Sequence, residues 1–133
     1  MKKNIQKIIR SVKIAQKGLR HAFKSDESFR LEVVYGLPIY LVVGFFLAPF
    51  SSVEFLLYVG TYALILIVEL VNTAFEKMLD RVHPEDHELI GKSKDISSAS
   101  VLVAFIFAII VVATLAYVRL FPLGAYEVSS LVV

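Results

Sequence analysis

Four polar residues with helical spacing lie where an apolar run of the sequence meets a charged one. Glu69, Asn72, Glu76 and Asp80 follow one another at intervals of three, four and four residues. At about 100° per residue, all four fall within roughly 80° of one helical face. Each carboxylate at membrane depth costs roughly 2.5–3.5 kcal/mol on insertion scales. A chain that places several on one face is therefore expected to use them.

The chemistry available to this face is proton transfer and phosphate handling. Glu69 is the deepest carboxylate, and a desolvated carboxylate is well suited to accept a proton. Glu76 and Asp80 lie nearer water, where carboxylates hold Mg²⁺ together with substrate phosphates. Lys92 and Lys94 follow in the next polar segment and could meet phosphate charge. These parts match those needed for phosphoryl transfer to a lipid hydroxyl, although on spacing alone the charges could instead pair and fix helix packing.

The composition of the 133-residue chain is that of an integral membrane protein with a single domain. Hydrophobic residues make up 57% of the chain, charged residues 20%, and the mean hydropathy is +0.72. Lysines and arginines are concentrated ahead of the first apolar run, which indicates contact with a membrane surface and argues against nucleic-acid binding. Cysteine is absent, which excludes disulfides and thiolate metal sites.

The hydrophobic pattern predicts an all-α membrane protein with three transmembrane helices and an N-terminal amphipathic surface helix. The surface helix is expected at residues 4–24 and the three spans at about 29–50, 54–80 and 95–119, with a polar loop at 81–93. Basic residues occur in the N-terminal segment and in this loop, and none lies between the first two spans. The positive-inside rule therefore predicts a cytoplasmic N-terminus and loop, and a periplasmic or external C-terminus.

Several residues within and between the spans carry weaker expectations. Gly36 and Pro38 fall inside the first span, where such residues are tolerable in a membrane helix. Glu54, between the first two spans, is expected to be a loop or interface carboxylate with no special role. Tyr58 and Tyr62 are expected near the outer membrane interface.

A resemblance to a known family lies in one long stretch, residues 69–95, which reads ELVNTAFEKMLDRVHPEDHELIGKSKD. This stretch closely resembles the signature of the bacterial integral-membrane diacylglycerol kinases. The similarity extends back through KGLRHAF and FRLE and covers most of the chain except the C-terminal tail. The resemblance implies a homotrimer of three-span protomers with a surface helix, in the bacterial inner membrane. It also implies transfer of the γ-phosphoryl group of MgATP to diacylglycerol, which gives phosphatidic acid.

The resemblance further implies roles for individual residues. Glu69 matches the catalytic base that takes the proton from the lipid hydroxyl, and Asn72 matches a partner of that base. Asp26 and Glu76 match the carboxylates that bind Mg²⁺, with Glu27 as an alternative to Asp26. Residues that match nucleotide contacts are Lys7, Ile14, Asp26, Glu76, Glu85, Asp86, His87, Lys94 and Asp95. Residues that match lipid contacts are Arg30, Glu32, Glu69 and Ser98.

Other functions stay open at this point. A related branch of the family phosphorylates undecaprenol: the HELIG segment of this chain favours diacylglycerol, whereas VKIA on the surface helix favours undecaprenol. A small transporter or proton-relay subunit would also place carboxylates in a membrane helix. It would usually show inverted repeats or pairs of broken helices, and the sequence shows neither. A structural membrane subunit would keep any activity when Glu69 is neutralised. The expected partners are diacylglycerol, ATP, membrane lipids and further copies of the chain, with no nucleic acid.

Overall fold

The computed structural model of the chain describes residues 2–82 and 87–121, and nearly all of them are helical. The elements in chain order are α1 (Lys2–Ser25), α2 (Glu27–Leu31), a π-helical turn (Glu32–Gly36), α3 (Leu37–Leu47), α4 (Ser52–Val82) and α5 (Glu88–Leu120). We refer to Glu32–Gly36 as the π-turn. The predicted all-α class is confirmed for the described residues.

Three helical stretches are long and apolar enough to cross a membrane, namely Glu27–Leu47, Ser52–Val82 and Glu88–Leu120. Large apolar side chains cover their outer surfaces, and Phe45 and Phe46 are each 79% exposed. A surface of this kind suits a bilayer rather than water. Helix α5 begins at Glu88, ahead of the span expected from residue 95. The two are compatible because a helix can project beyond the lipid. The limits of the spans and of the surface helix stay predictions.

The first membrane helix is interrupted by the π-turn because of Pro38, the second residue of α3. Proline lacks the N–H that a helix interior needs, and its ring collides with the carbonyl four residues earlier, here that of Val34. A wider turn just before the proline accommodates the ring. In this turn the Leu37 N–H donates to the Glu32 carbonyl, five residues back.

Stacked tyrosines hold α3 against α4. The rings of Tyr40 and Tyr58 have centroids 4.2 Å apart, and the Tyr58 hydroxyl donates to the Tyr40 carbonyl at 2.5 Å. The Tyr40 hydroxyl in turn lies within hydrogen-bond distance of the Tyr58 carbonyl and of the Thr61 hydroxyl, at 2.8 and 2.7 Å. Tyr58 and Tyr62 are 4% and 7% exposed, so both are buried between helices. Their expected place near the outer membrane interface stays a prediction.

Small residues bring α5 close to α4. Ala104 and Ala108 of α5 are buried against Ile65 and Tyr62 of α4. Residues without bulky side chains let membrane helices approach closely and gain van der Waals contact, which matters where lipid supplies no hydrophobic driving force. This packing holds α5 against the part of α4 that precedes Glu69 in the chain.

Glu54 and Arg119 join the helices at the opposite end of the bundle from Glu69. Arg119 donates to the carbonyls of Leu47 and Pro49 at 3.1 and 2.6 Å and pairs with Glu54 at 3.1 Å. Glu54 also accepts from the Ser51 N–H at 2.7 Å, and the Ser51 hydroxyl accepts from the Glu54 N–H at 3.3 Å. This reciprocal pair is a capping box that starts α4. The expectation that Glu54 has no special role is therefore wrong.

Candidate active site

A cavity of about 350 Å³ lies between the first membrane helix, α4 and α5. The residues that line it are Asp26, Ser28, Glu32, Glu69, Asn72, Glu76, Ser98, Val101, Leu102 and Phe105. Most of its polar lining consists of residues singled out from the sequence. Elements far apart in the chain thus bring four carboxylates, an amide and two hydroxyls around one space.

Helix α4 contributes the deepest groups of the cavity because its polar residues repeat at helical spacing. Glu69 is 3% exposed and Asn72 is 7% exposed. The Asn72 side-chain amide donates to Glu76 Oε1 at 3.2 Å, and the Ser98 hydroxyl of α5 reaches the same oxygen at 3.4 Å. Glu76 is thereby oriented from two helices. Asp80, one turn further on, pairs with Lys94 and does not line the cavity.

Asp26 enters the cavity as the N-cap of α2. Its Oδ1 accepts from the Phe29 N–H at 2.8 Å, which satisfies a donor that a helix start leaves open. Its Oδ2 accepts from the hydroxyl of Thr73 on α4 at 2.9 Å. Of the two acidic residues proposed for a metal ligand at this point, Asp26 lines the cavity, whereas Glu27 is exposed and does not.

Two buried acceptors in the cavity lack hydrogen-bond donors within the described part of the chain: Glu32 Oε2 and Asn72 Oδ1. Buried polar atoms are nearly always paired, and leaving one unpaired costs about 1–3 kcal/mol. Two such atoms in one cavity indicate a place for a hydroxyl, a cation or water. The same cavity offers the carboxylate oxygens of Asp26 and Glu76, which are the hard ligands that Mg²⁺ prefers.

These carboxylates do not form a complete metal cage. Within residues 2–82 and 87–121, no group of three or more histidine or acidic side chains is close enough to hold a metal ion. Mg²⁺ ordinarily binds through one or two carboxylates plus substrate phosphates. The donor set therefore fits a metal that arrives with a phosphorylated substrate better than a permanently bound one.

The predicted site residues of α1 and α2 are not all in the cavity. Lys7 and Ile14 lie on α1, both exposed, and Ile14 is 60% exposed. Arg30 lies in the last turn of α2 and is half-buried, also outside the cavity lining. Within one chain, these three residues are therefore not brought together with Glu69.

The predicted residues at the start of α5 form a separate group. His87 is the N-cap of α5, and its Nδ1 accepts from the Leu89 N–H at 3.2 Å. Lys94 pairs with Asp80 and so ties α5 to α4, while Asp95 is exposed. None of the three lines the cavity. Glu85 and Asp86 lie outside the described residues.

Several residues at the site were not predicted from the sequence. Thr73 is 4% exposed, and its single hydroxyl proton is shared between Asp26 Oδ2 and the Glu69 carbonyl, each 2.9 Å from its oxygen. Its position four residues after Glu69 is the signal that could have found it. The apolar wall of the cavity lies three, four and seven residues after Ser98 in α5, at Val101, Leu102 and Phe105. Because the neighbouring residues of this part of α5 are also apolar, the spacing alone does not show which of them face the cavity.

Comparisons with known proteins bear on this cavity. The chain matches the family described as prokaryotic diacylglycerol kinase over residues 13–116. A protein named diacylglycerol kinase from Haemophilus influenzae is 38% identical over 97 residues, which cover 73% of this chain and 80% of the relative. A protein of the same name from Escherichia coli is 38% identical over 104 residues, which cover 78% of this chain and 84% of the relative. Another from Pseudomonas aeruginosa is 35% identical over 100 residues, which cover 75% of this chain and 80% of the relative. The matched region includes every residue that lines the cavity.

Proposed function

The chain belongs to the prokaryotic diacylglycerol kinase family, and from this premise we propose that it phosphorylates diacylglycerol with ATP. The γ-phosphoryl group passes to the primary hydroxyl of the lipid, and phosphatidic acid and ADP are the products. The observation that carries the proposal is Glu69, 3% exposed, in one cavity with Asn72 and Glu76. A desolvated carboxylate beside an open cavity at the end of an apolar helix suits deprotonation of a lipid alcohol.

The proposed reaction is an in-line transfer in which Glu69 acts as the base. Glu69 accepts the proton of the lipid hydroxyl, whose oxygen forms a bond to the γ-phosphorus. The bond between that phosphorus and the β–γ bridging oxygen breaks, and its electrons leave with ADP. Phosphoryl transfer depends chiefly on positioning and on stabilising charge. Asn72 and Ser98 contribute to positioning because both orient Glu76.

Asp26 and Glu76 are the residues that would hold Mg²⁺ in this proposal. When bound with ATP, the ion would neutralise charge on the phosphates. Asp26 is kept in place by Phe29 and Thr73, and Glu76 by Asn72 and Ser98. The chain thus presents two carboxylates that each accept hydrogen bonds from two groups.

The remaining contacts follow from the resemblance and from charge. Lys94, Asp95 and His87 at the start of α5, and Lys7 and Ile14 on α1, would contact the nucleotide. Because they do not line the cavity of their own chain, we place them at a site completed by a neighbouring copy in a homotrimer. Arg30 and Glu32 would contact the lipid headgroup. The cytoplasmic face of a bacterial inner membrane, with α1 along its surface, is the location that the basic segments favour.

The test is phosphate transfer by the purified full chain in mixed micelles with MgATP. Diacylglycerol and undecaprenol are offered in parallel, with Glu69→Gln as the inactivating variant. Glu54→Gln is the matched control, since it neutralises a carboxylate of the same helix at the far end of the bundle. We expect transfer to diacylglycerol that Glu69→Gln abolishes and that Glu54→Gln, per folded protein, leaves intact.

The other outcomes discriminate among the alternatives. Preferential transfer to undecaprenol would keep the mechanism and change the acceptor. Failure to phosphorylate either alcohol, from a folded protein, would overturn the kinase proposal and favour a proton-relay or structural subunit. Equal loss of activity in both glutamate variants would remove Glu69 from the role of base.

A further inference from the structure

One tyrosine of α4 connects the packing of the bundle to the cavity. The Tyr62 hydroxyl donates to the backbone carbonyl of Glu32 at 2.7 Å, across 30 residues of sequence. Tyr62 is 7% exposed, and the Glu32 side chain lines the cavity beside Glu69. The hydrogen bond therefore links the first residue of the π-turn to the helix that carries the catalytic groups.

We propose that Tyr62 is a positioning residue that stabilises the π-turn and thereby keeps Glu32 and Asp26 directed into the cavity. The proposal deepens the proposed function and rests on it, because Glu32 and Asp26 matter only if the cavity is the reaction site. Tyr62 does not itself line the polar cavity. It acts through the backbone of the turn.

The physical reason lies in the geometry of the wide turn. A π-turn is rare and adds one residue to a helical turn, so residues before it are rotated by about 100° relative to a regular helix. The Glu32 carbonyl accepts from the Leu37 N–H and from the Tyr62 hydroxyl. The wide turn is required by Pro38, and the second bond ties its first residue to α4. Losing this bond removes that tie, and Asp26 and Glu32 are then held less firmly toward Glu69.

Gly36 leaves the space that this contact needs. A Cβ atom built on Gly36 would lie 2.7 Å from the Tyr62 hydroxyl oxygen, while the next nearest atom, Tyr62 Cζ, is 3.8 Å away. An alanine would thus collide with the hydroxyl oxygen alone. The collision should disappear when that oxygen is removed, so Tyr62→Phe is expected to rescue Gly36→Ala.

The first experiment measures proximity and needs no kinase activity. The chain has no cysteine, so Asp26→Cys with Thr73→Cys introduces the only thiols, at side chains whose oxygens are 2.9 Å apart. Adding Tyr62→Phe to this pair is expected to slow disulfide formation about 2- to 10-fold, the range set by one hydrogen bond. Tyr58→Phe is the matched control, since its hydroxyl donates to the Tyr40 carbonyl, outside the π-turn, and it should leave the rate unchanged.

The second experiment measures kcat/KM for diacylglycerol in the otherwise unaltered full chain. Gly36→Ala is expected to lower it more than Tyr62→Phe does, and the double variant should recover to the level of Tyr62→Phe alone. Gly44→Ala is the control: its Cβ would lie 2.8 Å from the Tyr58 ring, and Tyr62→Phe should not rescue it. A general loss of stability would give additive defects and no such recovery.

The outcomes separate this proposal from the proposed function. Two results would overturn the positioning role. One is an equal cross-linking rate in Tyr62→Phe and Tyr58→Phe. The other is a kcat/KM of the Gly36→Ala, Tyr62→Phe double variant that is no higher than that of Gly36→Ala. Slowed cross-linking in a chain whose unaltered form transfers no phosphate would support the role of Tyr62 in the turn and count against the kinase. Slowed cross-linking together with rescue of kcat/KM would support both.

Discussion

The hydroxyl of Thr73 is expected to set the affinity of the site for Mg²⁺. Thr73→Val keeps the shape of a side chain that is 4% exposed and removes the donor to Asp26 Oδ2, 2.9 Å away. Hydrogen bonds to charged groups contribute about 1.5–3 kcal/mol, and a half-buried Asp26 lets water replace part of this. We therefore expect a loss of about 1–2 kcal/mol, which corresponds to a factor of roughly 5–30.

The assay is the Mg²⁺ concentration that gives half-maximal phosphate transfer at fixed ATP, which Thr73→Val should raise by that factor. Thr73→Ser should restore it, because the hydroxyl returns. Thr61→Val is the matched control: Thr61 is 1% exposed on the same helix, and its hydroxyl donates to the Tyr58 carbonyl at 2.9 Å, far from Asp26. If both valine variants shift the Mg²⁺ requirement equally, the assignment of Asp26 as a metal ligand is refuted.

Three further predictions concern the base, the far end of the bundle and the nucleotide. Glu69→Gln should lower kcat by about 10²- to 10⁴-fold without lowering the thermal unfolding midpoint; a loss of folding instead would point to a structural role. Arg119→Met should lower the free energy of unfolding by about 1–3 kcal/mol and leave activity per folded protein unchanged. In the Arg119→Met background, Glu54→Gln should lower the free energy of unfolding by less than it does alone. Additive losses would contradict the pairing of Arg119 with Glu54. Lys94→Met should change the free energy of unfolding by under about 1 kcal/mol, because its ion pair with Asp80 is exposed, while KM for ATP rises; an unchanged KM would remove Lys94 from the nucleotide contacts.

The sequence was sufficient to predict the all-α class and to group three residues that line one cavity, for two physical reasons. Apolar runs longer than a bilayer is thick admit few alternatives to helices. Polar residues in such a helix are costly, so Glu69, Asn72 and Glu76 mark a single face without ambiguity. That face fixes the rotation of α4 about its own axis, and the structure has all three residues in one cavity.

The rotation of the first membrane helix could not be predicted in the same way. Its α3 segment, LPIYLVVGFFL, is apolar on every side, so it has no period from which a buried face could be read. Pro38 signalled an irregularity but not its form, since a kink, a break or a wide turn can each accommodate a proline. The contacts of Tyr40 with Tyr58 and Thr61, and the hydrogen bond of Tyr62 to the Glu32 carbonyl, define which residues turn toward α4.

The buried face of α4 extends further than its carboxylates. The buried residues of this helix run from Tyr58 through Tyr62 and Ile65 to Glu69 and Asn72, at intervals of four, three, four and three residues. The sequence therefore already contained one continuous face, in which aromatic groups that hold the first membrane helix precede the polar groups that line the cavity. Because one helix carries both, a change at Tyr62, which is bonded to the Glu32 carbonyl, is expected to reach the cavity that the Glu32 side chain lines. This continuity explains how a helix in lipid, where apolar packing alone distinguishes poorly between faces, can hold the polar groups that line the cavity in a defined orientation.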